Sequence, residues 1–86
     1  MPKVVIYTTD YCPFCTRAKA LLRSKQVDFE EIDVNRDPLL QDEVRRLSGR
    51  RTVPQIFVDG TSVGGFDELS ELDAAGELDR LLGIEP

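Results

Sequence analysis

The sequence predicts one α/β domain in which the elements follow the order β-α-β-α-β-β-α and four strands form a mixed sheet flanked by helices. Three observations favour this fold class: apolar β-branched runs alternate with segments of helical periodicity, two prolines stand where helices would begin, and an Asp-Gly pair separates the last two strands. A chain of 86 residues forms one compact core and leaves no room for a second domain. We therefore expect residues 1–86 to be a single domain.

The first strand and helix surround the only two cysteines of the chain. The run from Lys3 to Thr8 is β-branched and aromatic, which indicates a strand covered on both faces. Pro13 suits the first position of a helix, because the N–H that it lacks would be unpaired there, and Cys12 then becomes the N-cap. This helix runs to about residue 25, and Cys15 begins its inward face. Cys12 is therefore expected to be the more exposed of the two cysteines.

A second strand and a second helix follow. The segment from Val27 to Val34 alternates loosely between polar and apolar residues, which indicates a strand parallel to the first and joined to it by a right-handed crossover. Asp37-Pro38 repeats the pattern of a cap followed by proline at the start of the next helix. Gly49 ends that helix, because glycine readily adopts the left-handed conformation of a C-terminal cap.

A β-hairpin and a third helix complete the chain. Asp59-Gly60 favours a hairpin, because the turn that this pair adopts has the twist of the flanking strands, residues 55–58 and 61–63. Asp67 is the predicted N-cap of the third helix, which Gly76 interrupts. The helical spacing is that of Phe66, Leu69, Leu72 and Ala75, and a last apolar cluster follows at Leu78, Leu81 and Leu82.

Composition argues against several classes of function. The net charge is −5 and the pI about 4.6, so no basic stripe dominates the sequence and we expect no nucleic-acid partner. No segment approaches the roughly 20 apolar residues of a membrane span, and the first apolar run is too short for a signal peptide. We therefore expect no membrane contact and a cytoplasmic location. The chain has no histidine, so imidazole can serve neither as a base nor as a ligand.

The segment Cys12-Pro13-Phe14-Cys15 allows three interpretations: a redox pair, part of a zinc site, or inert core packing. A redox pair suits a strand-to-helix turn, because the helix N-terminus stabilises a Cys12 thiolate and Cys15, one turn further, can attack a disulfide that Cys12 forms. Arg17 and Lys19 are candidates to add to that stabilisation. A zinc site would need more cysteines or a histidine, which the chain lacks, so we expect no metal. Redox chemistry is the preferred interpretation.

Two further motifs, Thr52-Val53-Pro54 and Gly64-Gly65-Phe66-Asp67, follow the cysteine pair in this order. With all three, the chain resembles the dithiol glutaredoxins of the thioredoxin superfamily, and in particular the small bacterial form. The motifs span nearly the whole sequence. The resemblance implies a thioredoxin-like fold and a glutathione-dependent thiol–disulfide oxidoreductase that reduces glutathionyl mixed disulfides and protein disulfides.

The resemblance also implies a set of glutathione-binding residues. Val53 would pair through its backbone with the cysteine of glutathione, beside a cis bond to Pro54, although sequence alone favours trans because only about 5–6% of X–Pro bonds in folded proteins are cis. Asp67 would meet the ammonium of the γ-glutamyl group. Either Arg50 or Arg51 could reach the glycyl carboxylate, and Arg51 is preferred because it is adjacent to Thr52. The full implied set is Phe14, Arg51, Thr52, Val53, Pro54, Gly65, Phe66 and Asp67, with Cys12 and Cys15 as the catalytic pair.

Two other functions remain open at this point. One is a redoxin that is reduced by thioredoxin reductase and donates electrons to ribonucleotide reductase. The segment from Gly65 to Asp67 argues against it, because it matches the glutathione-binding motif that the resemblance implies. The other is a dimer that binds an iron–sulfur cluster through Cys12 and glutathione, which Pro13 disfavours, because the resemblance implies a smaller residue there in cluster-binding members. The partners we expect are glutathione and glutathionylated or disulfide-bonded proteins, with ribonucleotide reductase as one candidate. We expect the protein to be a monomer.

Overall fold

The computed structural model describes residues 2–84. The strands in this range are β1 (Val4–Thr8), β2 (Glu30–Asp33), β3 (Gln55–Val58) and β4 (Thr61–Gly64). The helices are α1 (Pro13–Ser24), α2 (Pro38–Ser48), α3 (Phe66–Ala74) and α4 (Glu77–Leu81). The predicted order of elements is confirmed, with the last predicted helix divided in two at Gly76. None of the helices in residues 2–84 is long and apolar enough to cross a membrane.

The four strands form one sheet in the order β2-β1-β3-β4. The β1 and β2 strands pair in parallel, whereas β3 pairs antiparallel with both β1 and β4, so the predicted mixed sheet is confirmed. The second strand is shorter than the predicted range of 27–34. The N–H of Val27 donates to the carbonyl oxygen of Leu22 at 3.3 Å, which keeps this part of the chain in the turn after α1.

The helix starts were predicted correctly for α1 and α2 but not for α3. Cys12 is the N-cap of α1, and the side chain of Asp37 caps α2 by accepting a hydrogen bond from the N–H of Leu40 at 3.1 Å. The prediction that Asp67 caps α3 is wrong, because Gly65 is the N-cap and Asp67 is the second residue of the helix. Glu68 accounts for the earlier start, since its carboxylate accepts a hydrogen bond from the N–H of Gly65 at 2.8 Å.

The main core joins the sheet to α1, α3 and α4. Its fully buried large side chains are Ile6, Leu22, Ile56, Leu69, Leu78 and Leu82. In β1 the residues alternate between buried and half-buried, so the prediction of a strand covered on both faces holds only in part. Asp59 and Gly60 both have positive φ angles, of 50° and 81°, as the predicted hairpin turn requires. The core thus holds the N-terminus of α1 beside the loop that enters β3.

Candidate active site

The two cysteines lie at the N-terminus of α1 and form a disulfide, with their Cα atoms 5.1 Å apart. The Cys15 N–H donates a hydrogen bond to the Sγ atom of Cys12 at 3.0 Å. Cys12 is partly exposed, whereas Cys15 is only 2% exposed, so the predicted difference in exposure is confirmed. Within residues 2–84, no cluster of three or more histidine, cysteine or acidic side chains is placed to hold a metal ion.

The loop before β3 brings a backbone edge to the cysteines. The Val53–Pro54 peptide bond is cis, as the resemblance implied, although sequence alone favoured trans. The carbonyl oxygen of Val53 lies 3.7 Å from the Sγ atom of Cys12. The fully buried Gln55 steadies this loop, because its Nε2 atom donates a hydrogen bond to the carbonyl oxygen of Thr52 at 2.9 Å. Gln55 was not predicted as part of the site, since a glutamine in a strand gives no local sign of this contact.

A groove of about 240 Å³ opens on one side of Val53, and we call it the aromatic groove. The rings of Phe14 and Phe66 lie on it with their centroids 6.3 Å apart. Every residue that the resemblance implied for glutathione, except Arg51, lines this groove: Phe14, Thr52, Val53, Pro54, Gly65, Phe66 and Asp67. A Cβ atom added to Gly65 would lie 3.2 Å from the carbonyl oxygen of Pro54, which explains why glycine stands at this close approach.

Arg50 and Glu68 also line the aromatic groove. Arg50 was the less favoured of the two arginines predicted for the glycyl carboxylate, and Glu68 was not predicted as a site residue. The Arg50 guanidinium contacts the Glu68 carboxylate at 2.6 Å, so the pair ties the loop before β3 to the start of α3. The hydrogen bond from the Gly65 N–H and the nearby Arg50 charge together lower the pKa of Glu68. The spacing of Glu68 three residues after Gly65 is that of a helix cap and could have revealed half of this arrangement.

Arg51 lies in a second depression, of about 230 Å³, which we call the arginine pocket. Its lining includes Arg45, Arg51 and Gln41, together with Thr9 after β1. The arginine pocket shares Arg50, Thr52 and Val53 with the aromatic groove. Two depressions therefore meet at the backbone edge beside Cys12, one containing Asp67 and the other Arg51.

A third depression, of about 470 Å³, contains both cysteines, and we call it the cysteine cleft. Lys19 lies in it and pairs with Glu31 at 3.0 Å, which lowers the pKa of that carboxyl group. The guanidinium of Arg17 lies 5.3 Å from the centre of the Phe14 ring. Both cations proposed from the sequence as stabilisers of a Cys12 thiolate are thus engaged with other groups.

A mixed sheet, a Cys-x-x-Cys pair at a helix N-terminus and a cis-proline loop beside it define a thioredoxin-like thiol–disulfide oxidoreductase. Comparison with known proteins narrows the class: the glutaredoxin family profile matches residues 4–63, and the chain belongs to the glutaredoxin family. It is 55% identical over 82 residues to a glutaredoxin of Pseudomonas aeruginosa, an alignment that covers 95% of this chain and 98% of the relative.

Solved structures agree with this assignment. The solution structure of a Brucella melitensis glutaredoxin is 50% identical, with a TM-score of 0.86, over 95% of this chain and 89% of that one. A buckwheat glutaredoxin–glutathione complex is 27% identical, with a TM-score of 0.89, over 95% of this chain and 77% of that one. The predicted thioredoxin-like fold and the family resemblance are both confirmed.

Proposed function

We propose that this glutaredoxin is a glutathione-dependent oxidoreductase that reduces glutathionyl mixed disulfides and protein disulfides. The observation that carries the proposal is the Val53 carbonyl oxygen 3.7 Å from the Cys12 Sγ atom, at the junction of the aromatic groove and the arginine pocket. A tripeptide whose central residue is cysteine fits such a junction, because its sulfur lies in the middle and its two ends extend to opposite sides.

The charges at the two ends support this orientation of glutathione. The γ-glutamyl end carries an ammonium and a carboxylate, which match the Asp67 side chain and the N–H groups at the start of α3 in the aromatic groove. The glycyl end carries a single carboxylate, which matches Arg51 in the arginine pocket. Likeness to the buckwheat glutaredoxin–glutathione complex supports the same ligand.

The proposed reaction with a glutathionylated protein is a pair of thiol–disulfide exchanges. The Cys12 thiolate attacks the glutathione sulfur, the mixed disulfide breaks, and the target thiolate leaves and takes up a proton from water. A second glutathione thiolate then attacks the glutathionyl sulfur on Cys12, so glutathione disulfide forms and the Cys12 thiolate is released. The Cys15 N–H, which lies 3.0 Å from the Cys12 sulfur, is placed to stabilise the Cys12 thiolate before the first exchange and after the second.

Reduction of a protein disulfide would use both cysteines. Cys12 attacks one substrate sulfur and forms a mixed disulfide with it, while the other substrate sulfur leaves as a thiolate. Cys15 then attacks Cys12, which frees the substrate and leaves the Cys12–Cys15 disulfide. Two glutathione molecules reduce that disulfide in turn, and one glutathione disulfide is formed. Reduced glutathione must be in excess, so the proposal implies a cytoplasmic location.

Replacement of each cysteine by serine tests the proposal. We expect Cys15→Ser to keep the reduction of the mixed disulfide of glutathione and 2-mercaptoethanol but to lose most protein-disulfide reduction, because only the latter needs the second sulfur. Cys12→Ser should abolish both activities in an assay coupled to glutathione reductase. Activity that survives in Cys12→Ser would refute the assignment. Wild-type turnover with NADPH and thioredoxin reductase, but not with glutathione, would instead favour the thioredoxin-reductase-linked redoxin.

A further inference from the structure

The cysteine cleft is left free by the glutathione site proposed above. Cys12 and Cys15 both line the cleft, whereas neither cysteine lines the aromatic groove or the arginine pocket. The cleft shares only Thr9 with the arginine pocket and no residue with the aromatic groove. The part of a substrate that is not glutathione can therefore reach the reactive sulfur from this side.

Tyr11 stands at the rim of the cysteine cleft and directly precedes Cys12. Its side chain is fully exposed, and no hydrogen bond or aromatic pair within residues 2–84 holds the ring. Its φ angle is 51°, in the left-handed region that bulky residues rarely adopt. Such residues cluster at binding and catalytic sites, and although Gln26 and Arg36 share this conformation in turns, only Tyr11 directly precedes a cysteine. A fully exposed ring on the residue that precedes a nucleophile is therefore placed to contact an incoming molecule.

We propose that the cysteine cleft binds the polypeptide on either side of a substrate's target cysteine, and that Tyr11 provides the main contact. Tyrosine suits this role because it offers a large amphipathic surface with few rotatable bonds, and it is enriched at the centres of protein interfaces. The inference rests on the proposed function and adds no covalent step to it. A disulfide substrate that carries polypeptide around its cysteine would therefore gain the Tyr11 contact, which a small disulfide lacks.

The charges of the cleft select the kind of polypeptide. Lys19 and Glu31 neutralise each other through their ion pair, which leaves the carboxylates of Asp10 and Asp33. Asn35 holds both of these, since its side-chain amide donates to Asp10 at 3.2 Å and its backbone N–H donates to Asp33 at 2.7 Å. Two hydrogen-bonded carboxylates in the same cleft as the cysteines complement a substrate that carries lysine or arginine next to its cysteine.

Three probes separate these contacts from the chemistry: the mixed disulfide of glutathione and 2-mercaptoethanol, a glutathionylated hexapeptide with lysine on both sides of its cysteine, and the same peptide with glutamate there. Steady-state kcat/KM is measured for wild type, Tyr11→Ala and Tyr11→Phe. We expect Tyr11→Ala to lower kcat/KM about three- to tenfold on both peptides and to leave the small disulfide unchanged, because only the peptides reach the ring. Tyr11→Phe keeps the ring and should stay within about twofold of wild type.

Charge is tested in the same assay. Wild type should prefer the lysine peptide to the glutamate peptide by about threefold, as expected for exposed charge pairs, and Asp10→Asn should reduce that preference. Leu39→Ala is the matched control, because Leu39 is an exposed apolar residue of α2 that lines none of the three depressions. It should change none of the rates.

Each of the other outcomes overturns the proposal. If Tyr11→Ala lowers kcat/KM equally on all three probes, the residue acts on Cys12 and not on the substrate. If kcat/KM on the peptides is unchanged, the ring contacts no substrate. If wild type does not prefer the lysine peptide, the cysteine cleft is not the binding site of the substrate polypeptide. Wild type inactive on every probe would overturn the proposed function as well. If Tyr11→Ala unfolds at a lower temperature than wild type, Tyr11→Asn repeats the test, because asparagine tolerates the left-handed backbone. Peptide rates in Tyr11→Asn equal to those of wild type would again overturn the proposal.

Discussion

Among single residues, Glu68 connects the most parts of the site. Its Oε1 atom accepts hydrogen bonds from the Gly65 N–H at 2.8 Å and from the Arg50 guanidinium at 2.6 Å. The Gly65 N–H is one of the donors that a helix start leaves unpaired, and Gly65 has no side chain that could cap the helix instead. A buried donor without a partner is costly, so Glu68 stabilises both α3 and the edge of the aromatic groove.

We expect Glu68→Ala to lower the free energy of unfolding by about 1–2 kcal/mol, the usual effect of losing a helix cap. Each kcal/mol corresponds to about 4–8 °C in the Tm of a domain of this size. Thermal unfolding monitored by circular dichroism measures the change. Glu71→Ala is the control, because Glu71 is exposed on the same helix and makes no ion pair within residues 2–84. Equal destabilisation by the two substitutions would contradict the role of Glu68.

The lowered pKa of Glu68 gives its contribution a definite pH dependence. The Gly65 N–H and Arg50 favour the charged carboxylate in the folded protein, below the ordinary pKa of 4.5. The resulting stability is fully present above pH 4.5 and is lost as the pH falls through the lower pKa of the folded state. We expect the difference in unfolding free energy between wild type and Glu68→Gln to be largest near neutral pH and to shrink in acid. A constant difference from pH 7 to pH 3 would contradict this.

The same residues show which parts of the site a sequence can reveal. Cys12 and Pro13 indicate the start of α1 from local sequence alone. Asp67 is identified as a candidate glutathione-binding residue by the motif that contains it. The ion pair between Arg50 and Glu68 joins residues that are 18 positions apart, and no local pattern indicates that Arg50 rather than Arg51 forms it. The cis bond before Pro54 likewise depends on the surrounding structure, so the resemblance indicated it and local preference did not.

Among the elements, α4 depends most on tertiary packing. It has only five residues, too few to be stable as an isolated helix. Leu78 in the helix and Leu82 just after it are both fully buried, whereas Leu81 is about half exposed. The two buried leucines therefore attach this helix to the core formed by α1, α3 and the sheet.

We expect Leu78→Ala to lower the free energy of unfolding by about 2–5 kcal/mol, because it removes buried methyl groups and leaves a cavity. Leu81→Ala makes the same chemical change in the same helix and should alter it by no more than about 0.5 kcal/mol. Urea denaturation with the Cys12–Cys15 disulfide intact measures both. Similar losses in the two variants would show that burial does not govern the contribution of α4.

Elements with strong end signals were predicted well, and those without them were not. Asp37 and Gly49 fixed both ends of α2, and the Asp-Gly turn fixed the hairpin between β3 and β4. The start of β2 was predicted three residues too early. An apolar residue such as Val27 fits either a strand or a turn, and its hydrogen bond to Leu22 depends on where α1 ends.

Over the whole molecule, the charge is unevenly distributed along the chain. Residues 36–51 carry five arginines and three acidic residues, whereas residues 59–79 carry seven acidic residues and neither lysine nor arginine. The arginine pocket draws on the first segment, and the aromatic groove draws Asp67 and Glu68 from the second. The proposed glutathione site therefore lies where a basic and an acidic part of the protein meet. The basic part favours the glycyl carboxylate and the acidic part favours the γ-glutamyl ammonium, whereas the γ-glutamyl carboxylate depends on the N–H groups at the start of α3.

Arg51 is the arginine best placed to bind the glycyl carboxylate of glutathione. Arg50 is already paired with Glu68, whereas Arg51 lines the arginine pocket and makes no ion pair within residues 2–84. We expect Arg51→Gln to raise the KM for the glutathione–2-mercaptoethanol disulfide about three- to fivefold at low ionic strength with kcat unchanged, and less in about 0.5 M salt, where screening weakens exposed ion pairs. Arg46→Gln removes the same charge from an exposed position of α2 outside both depressions and should leave the KM within about twofold of wild type. Equal increases in the two variants would assign the effect to the overall charge, and no increase in either would remove the arginine pocket from the glutathione site.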